Sequence, residues 1–167
     1  ADGNSIWLDS NATLANHPIF TAAQGTLSVK DIYMYGNPGS HLDQTGGSLT
    51  TGFFGMATDA GSSATFNLSD GTFASTGELQ VGVSAAGTLN QTGGTLNSSS
   101  YLVVGRNSGS VGVFSLSGGK VNGATTGGFT VIGSFGGSNG TLNVSGSAEL
   151  NSPLQMRIGE EGTGTLN

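Results

Sequence analysis

The phrase Gly87-Thr88-Leu89-Asn90-Gln91-Thr92-Gly93-Gly94-Thr95-Leu96-Asn97, followed by Tyr101-Leu102-Val103-Val104-Gly105, returns along the chain in varied form. Copies of its first half start at Ser40, Ala64, Gly87, Gly112, Gly140 and Gly164, so successive starts lie 24, 23, 25, 28 and 24 residues apart. A repeat of this length makes each copy one supersecondary unit that buries its apolar side only against its neighbours. An earlier half-copy, Gly25 to Gly36, aligns without gaps on Gly94 to Gly105. Residues 25–167 thus carry the repeat, ending in an open half-coil at Gly164-Thr165-Leu166-Asn167. Residues 1–24 stand apart as an atypical N-terminal cap or docking coil.

Each copy holds three short apolar segments. The first places Leu42, Phe66, Leu89, Phe114, Leu142 and Leu166 at one phase, with Gln44, Leu68, Gln91, Leu116 and Val144 two residues on. A period of two puts both positions on one side of a strand. The second segment centres on Leu27, Leu49, Phe73, Leu96, Val121 and Leu150. The third holds Tyr33 and Tyr35, Phe54 and Met56, Leu79 and Val81, Leu102 and Val104, Val131 and Ile132, and Met156 and Ile158. Gly36, Gly82, Gly105, Gly133 and Gly159 follow it, with Ala57 in that place once. The inward register near Phe54 and Phe129 stays open by one residue.

Three short strands in about 24 residues predict an all-β chain, a parallel β-helix (solenoid) of about six coils with three strands each. At about 4.8 Å per coil the rod is roughly 30 Å long. Its core is a column of Leu42, Phe66, Leu89, Phe114, Leu142 and Leu166. A helix is a poor alternative because no three-and-four spacing of apolar residues persists and the chain has 31 Gly in 167 residues. A β-sandwich is the competing all-β form, but it gives no reason for similar residues to recur at one phase.

Asn67, Asn90, Asn143 and Asn167 share a phase with Asp43 and Ser115, which suits an inter-coil amide ladder; outward Asn contacting sugar is the functional alternative. Ile6, Trp7, Leu8, Ile19 and Phe20 at one end and Leu166 at the other are candidate docking residues. The open half-coil suits either a segment of a longer repeat protein or head-to-tail self-association through these residues, which is heterologous, does not close and so produces a filament.

The repeat, Gly-Thr-Leu-Asn-(Val/Gln)-(Ser/Thr)-Gly-Gly-Thr-Leu followed by Leu-x-Val-Gly, resembles the Gly/Ser/Thr/Asn-rich β-helix repeats of large bacterial surface proteins. Among these are autotransporter-like passenger domains and exported proteins carrying a PEP-type sorting signal. The resemblance covers about residues 25–167. It implies a secreted bacterial product, extracellular or at the cell surface, in a passenger or stalk role without a defined activity. Neither a translocating barrel nor a sorting signal occurs in this sequence.

Charge narrows the partners. Four Lys or Arg against ten Asp or Glu give a net charge of −6, so nucleic acid and anionic membrane surfaces are disfavoured. No apolar run reaches spanning length, so membrane insertion is not expected. Without Cys there is neither a disulfide framework nor a thiolate metal site. His17 and His41 differ in phase, and the Gly-Gly-x-Gly-x-Asp calcium repeat is missing, so no metal and no cofactor is expected. The acids do not stack into a pair. Arg106 and Glu160 share a phase but lie two coils apart, so no catalytic residue is assigned and an enzyme is not expected. Tyr33, Tyr35 and Tyr101 are candidates for an aromatic sugar platform. The leading expectation is a non-catalytic extracellular rod that stacks end to end into a stalk, filament or matrix. A carbohydrate-binding or adhesive module, with cell-surface polysaccharide as partner, is the alternative; a polysaccharide lyase or hydrolase comes third.

Overall fold

The computed structural model describes residues 6–9, 19–22, 24–36 and 39–167, the first two stretches by backbone alone. These residues form a parallel β-solenoid of about six turns, built from 18 strands and, among the described residues, no helix. One sheet stacks the third segments in chain order: Ile6–Asp9, Asp31–Tyr35, Phe53–Met56, Leu79–Val81, Leu102–Val104, Thr130–Ile132 and Met156–Ile158. Every pairing in it is parallel. The second sheet carries the first and second segments. Two long strands, Ser40–Thr51 and Ser63–Ser75, run through both, whereas later turns break at the Gly-Gly corner into pairs such as Ala86–Gln91 and Thr95–Ser98. Three short strands per coil therefore describe the later turns and the first, and two strands per coil the turns that contain Ser40–Thr51 and Ser63–Ser75.

Residues about two dozen apart sit directly over one another. Leu42, Phe66, Leu89, Phe114, Leu142 and Leu166 are consecutive register partners. All but Leu166 are at most 1% exposed. Leu49, Phe73, Leu96 and Val121 form the second column, each fully buried. The core is one side chain deep. Phe54, Phe66 and Phe73, one from each segment, meet with ring centroids 4.9–5.4 Å apart. Burying a side chain of this size stabilises by roughly 1.5–3 kcal/mol, and stacking repeats that gain on every turn.

Gln44 and Gln91 point inward at the same corner phase and are fully buried. Their amides donate to carbonyls one turn on: Gln44 Nε2 to Thr72 O at 2.9 Å and Gln91 Nε2 to Lys120 O at 3.1 Å. The side chains thereby satisfy backbone acceptors where the Gly-Gly turn interrupts the ladder.

Where the third segment leads back to the first, the backbone crosses itself. Gly105 has φ +75°, which disfavours any residue with a Cβ. A Cβ on Gly112 would lie 2.2 Å from Gly105 N and 2.3 Å from Val81 O, so neither glycine leaves room for a side chain. The same closure recurs at Gly82 with Gly87, Gly133 with Gly140 and Gly159 with Gly164. In the earlier turn Ala57 and Ala64 occupy these places, and Ala57 takes φ +55°.

One expectation is corrected. The gapless match of Gly25–Gly36 to Gly94–Gly105 sets Tyr33 at the inward Leu102 phase, but Ile32 occupies that phase through Phe54 and Leu79. Ile32 and Met34 are buried, and Tyr33 and Tyr35 lie on the outer side, half-buried. The corner from Leu27 to Ile32 is one residue shorter than the corner from Leu96 to Leu102. A slip of one residue turns every side chain to the opposite face. The register near Phe54 and Phe129 also resolves: Phe54 points inward, and Phe129 precedes its strand on the outer side.

Candidate functional site

The two sheets present different outer surfaces. On the second sheet, hydrogen-bonded amides climb from turn to turn. Asn67 Nδ2 donates to Asp43 Oδ1 at 2.9 Å and Asn90 Nδ2 to Asn67 Oδ1 at 2.9 Å. Ser115 interrupts the series, which resumes where Asn167 donates to Asn143 at 2.8 Å. A parallel series starts at Asn97, which accepts from Asn122 at 2.8 Å; Asn151 donates to Asn122 at 3.4 Å. His41 Nε2 lies 2.9 Å from Asp43 Oδ1, at the foot of the first series. Each amide donates to the side chain one turn before it, so the polar groups serve one another.

The candidate docking residues Ile6, Trp7, Leu8, Ile19 and Phe20 lie on strands that pair with Asp31–Tyr35 and Ser40–Thr51. Residues 1–24 thus contribute strands to both sheets, although they lack the repeat phrase. The side chains of these docking residues, like the whole of His17, fall outside what the structure describes. At the opposite end, Leu166 is 43% and Ile158 47% exposed, though both continue inward columns.

The outer surface of the first sheet carries a recess of about 290 Å³. Its floor is Val103 and Val131, register partners on adjacent strands, each 1% exposed. One wall is the position just before each strand: Glu78, Tyr101 and Phe129. The other wall follows the strand-end glycine: Arg106, Ser134, Phe135 and Glu160. Arg157 continues the floor column and closes one end.

These groups are held in place. The rings of Tyr101 and Phe129 meet edge to face at 84° with centroids 5.6 Å apart. Gly128 has φ +70°, and a Cβ there would lie 2.7 Å from the Tyr101 ring, so a bare backbone is needed for the ring to settle. The Arg157 guanidinium stacks 3.7 Å over the Phe129 ring and engages Glu160. The Arg106 guanidinium lies 5.3 Å over Phe135 and 3.5 Å from Glu78 across the recess. Gln80 Nε2 donates to Glu78 as well. Stacking on a ring contributes roughly 0.5–1 kcal/mol at such partly exposed places, and it leaves the N–H edges free to engage acceptors, which here are Glu78 for Arg106 and Glu160 and Gln155 for Arg157. Two cations and two anions make the recess formally neutral.

Sequence reasoning reached Tyr101 as a candidate and placed Arg106 and Glu160 at one phase. The structure confirms that phase with Ser134 between them, and adds what the phase alone did not show, namely Glu78, Phe129, Phe135 and Arg157 around them. A usable signal was the 28-residue spacing between Gly112 and Gly140. Seven residues separate the second from the third segment there (Asn122 to Thr130), against three or four in the neighbouring turns. The surplus is the loop that ends in Gly128 and Phe129. Tyr33 is not part of the recess; it pairs with Phe53 at 5.3 Å over Gly55, three strands away from Val103.

Glycoside hydrolysis requires two carboxylates about 5–10 Å apart. Glu78 and Glu160 sit three turns apart, about 14 Å along the axis, and each engages a guanidinium. Among the described residues no three His, Cys, Asp or Glu converge as metal ligands. No protein-family model, curated protein or solved structure matches the chain, so the likeness to bacterial surface repeats rests on the repeat phrase alone.

Proposed function

We propose that the protein is a non-catalytic structural rod outside the cell, lengthened by end-to-end addition of further turns into a stalk, filament or matrix. The observation that carries this is the continuity of the columns. Leu42, Phe66, Leu89, Phe114 and Leu142 are each covered by the turns next to them, and Leu166 and Ile158 continue the columns as exposed residues on the last turn described. Each added turn buries the apolar side of the one before it, whether that turn belongs to the same chain or to a second copy. Contact of one end with the opposite end of a second copy does not close. The export context remains an inference from the repeat resemblance and the low charge.

Light scattering and negative-stain electron microscopy of the purified chain across a concentration series test this reading. Concentration-dependent fibres are expected, and Leu166→Lys is expected to abolish them without altering the melting temperature. A chain that stays monomeric at every concentration, or fibres untouched by Leu166→Lys, overturns the proposal.

A further inference from the structure

We infer that the recess over Val103 and Val131 binds a single sugar unit of a neutral polysaccharide. Its size decides the scale. About 290 Å³ is at the lower end of the range for small-molecule pockets, roughly 300–1,000 Å³, which suits one pyranose ring rather than a long segment. Its chemistry decides the class. Apolar surface from Tyr101 and Phe135, over the buried Val103 and Val131, borders the same space as the guanidinium groups of Arg106 and Arg157 and the carboxylates of Glu78 and Glu160. A pyranose has that dual character, with apolar C–H faces and a rim of hydroxyls. Each hydroxyl can donate to a carboxylate and accept from a guanidinium.

Other ligand classes fit less well. A cationic ligand meets the like charges of Arg106 and Arg157 in the same space. A polyanion meets compensated arginines on a chain of net charge −6. A peptide strand adds to a sheet edge, whereas this recess lies on a sheet face.

Placement supports a built site. Both arginines of the chain are here, among only four basic residues. The lengthened Asn122-to-Thr130 corner delivers Phe129, and Gly128 within it seats Tyr101. The outer surface of the second sheet carries amides that satisfy one another. In the recess, with Arg106 across from Glu78 and Tyr101 against Phe129, the side chains are fixed before any ligand arrives, which lowers the ordering cost of binding.

Affinity electrophoresis in native gels containing xylan, mannan, mixed-linkage β-glucan or dextran tests the inference, with polygalacturonate as the charged control. Slower migration in at least one neutral polymer is expected. Tyr101→Ala and Phe135→Ala should each weaken it at least tenfold, and Asn90→Ala should leave it unchanged. Phe135 is 46% exposed, so its removal leaves folding intact and decides the matter if Tyr101→Ala misfolds. Failure to bind any neutral polymer overturns the inference, as does binding indifferent to both substitutions or confined to polygalacturonate at low salt. The assay reads binding at concentrations below any assembly, so its outcome is separate from that of the stacking test.

Discussion

The outer surfaces of the two sheets share one backbone rise and one inward core, yet they use their exposed positions differently. On the second sheet Asn67 and Asn90 share one phase, Asn97 and Asn122 another, and each pair is hydrogen-bonded. On the first sheet the outward column reads Gly55, Gln80, Val103, Val131, Arg157, with no residue type recurring beyond the two valines. Where the repeat is kept, side chains serve the stack. Where it is broken, small residues sit between large ones and a recess opens. Departure from the period marks the surface free to contact something else.

That contrast can be broken at several levels. The largest effect should come from the column beneath both surfaces. Leu89→Asp places an unpaired charge between Phe66 and Phe114 and should cost about 4 kcal/mol or more; thermal melts should show loss of the folded transition. A variant melting like the parent would show that the two surfaces do not rest on a common core. Next comes Gly112→Val, whose side chain meets backbone atoms of Gly105 and Val81 that cannot move aside. A loss of about 3 kcal/mol is expected from denaturant unfolding. Asn90→Ala should cost about 1 kcal/mol through the hydrogen bond lost to Asn67. Tyr101→Ala, on the other sheet, should change stability by less than that while removing sugar binding. Equal effects of these two substitutions on stability would erase the distinction drawn between the surfaces. The smallest change is a gain: Ala57→Gly relieves a left-handed alanine and should raise stability by about 0.5 kcal/mol, read from the denaturant midpoint.

The columns were legible because apolar residues such as Leu42, Phe66 and Leu89 recur at constant phase, and constant phase in a solenoid means direct contact. The orientation of Tyr33 was not, because one missing residue before Ile32 reverses inside and outside without altering composition. The recess was only partly legible. Its walls come from two phases, just before the strand and just after the glycine, in four consecutive turns. Alignment by repeat compares like with like down a column. A site formed between columns, such as Arg106 reaching across to Glu78, leaves no mark in any single one. Only the surplus length before Phe129 and the presence of both arginines pointed to it.

The paired glycines have a consequence for how such a chain can change. Gly105 with Gly112, and Gly133 with Gly140, pinch off the stretches 106–111 and 134–139 as closed side loops. Arg106, Ser134 and Phe135 stand on these loops, and Glu160 on the equivalent one between Gly159 and Gly164. Exposed side chains beyond the pinch can be exchanged without entering the core, while backbone hydrogen bonds tie each loop to the one a turn away. The rod is therefore also a rack of interchangeable fittings, on which new surface chemistry can be tried one turn at a time.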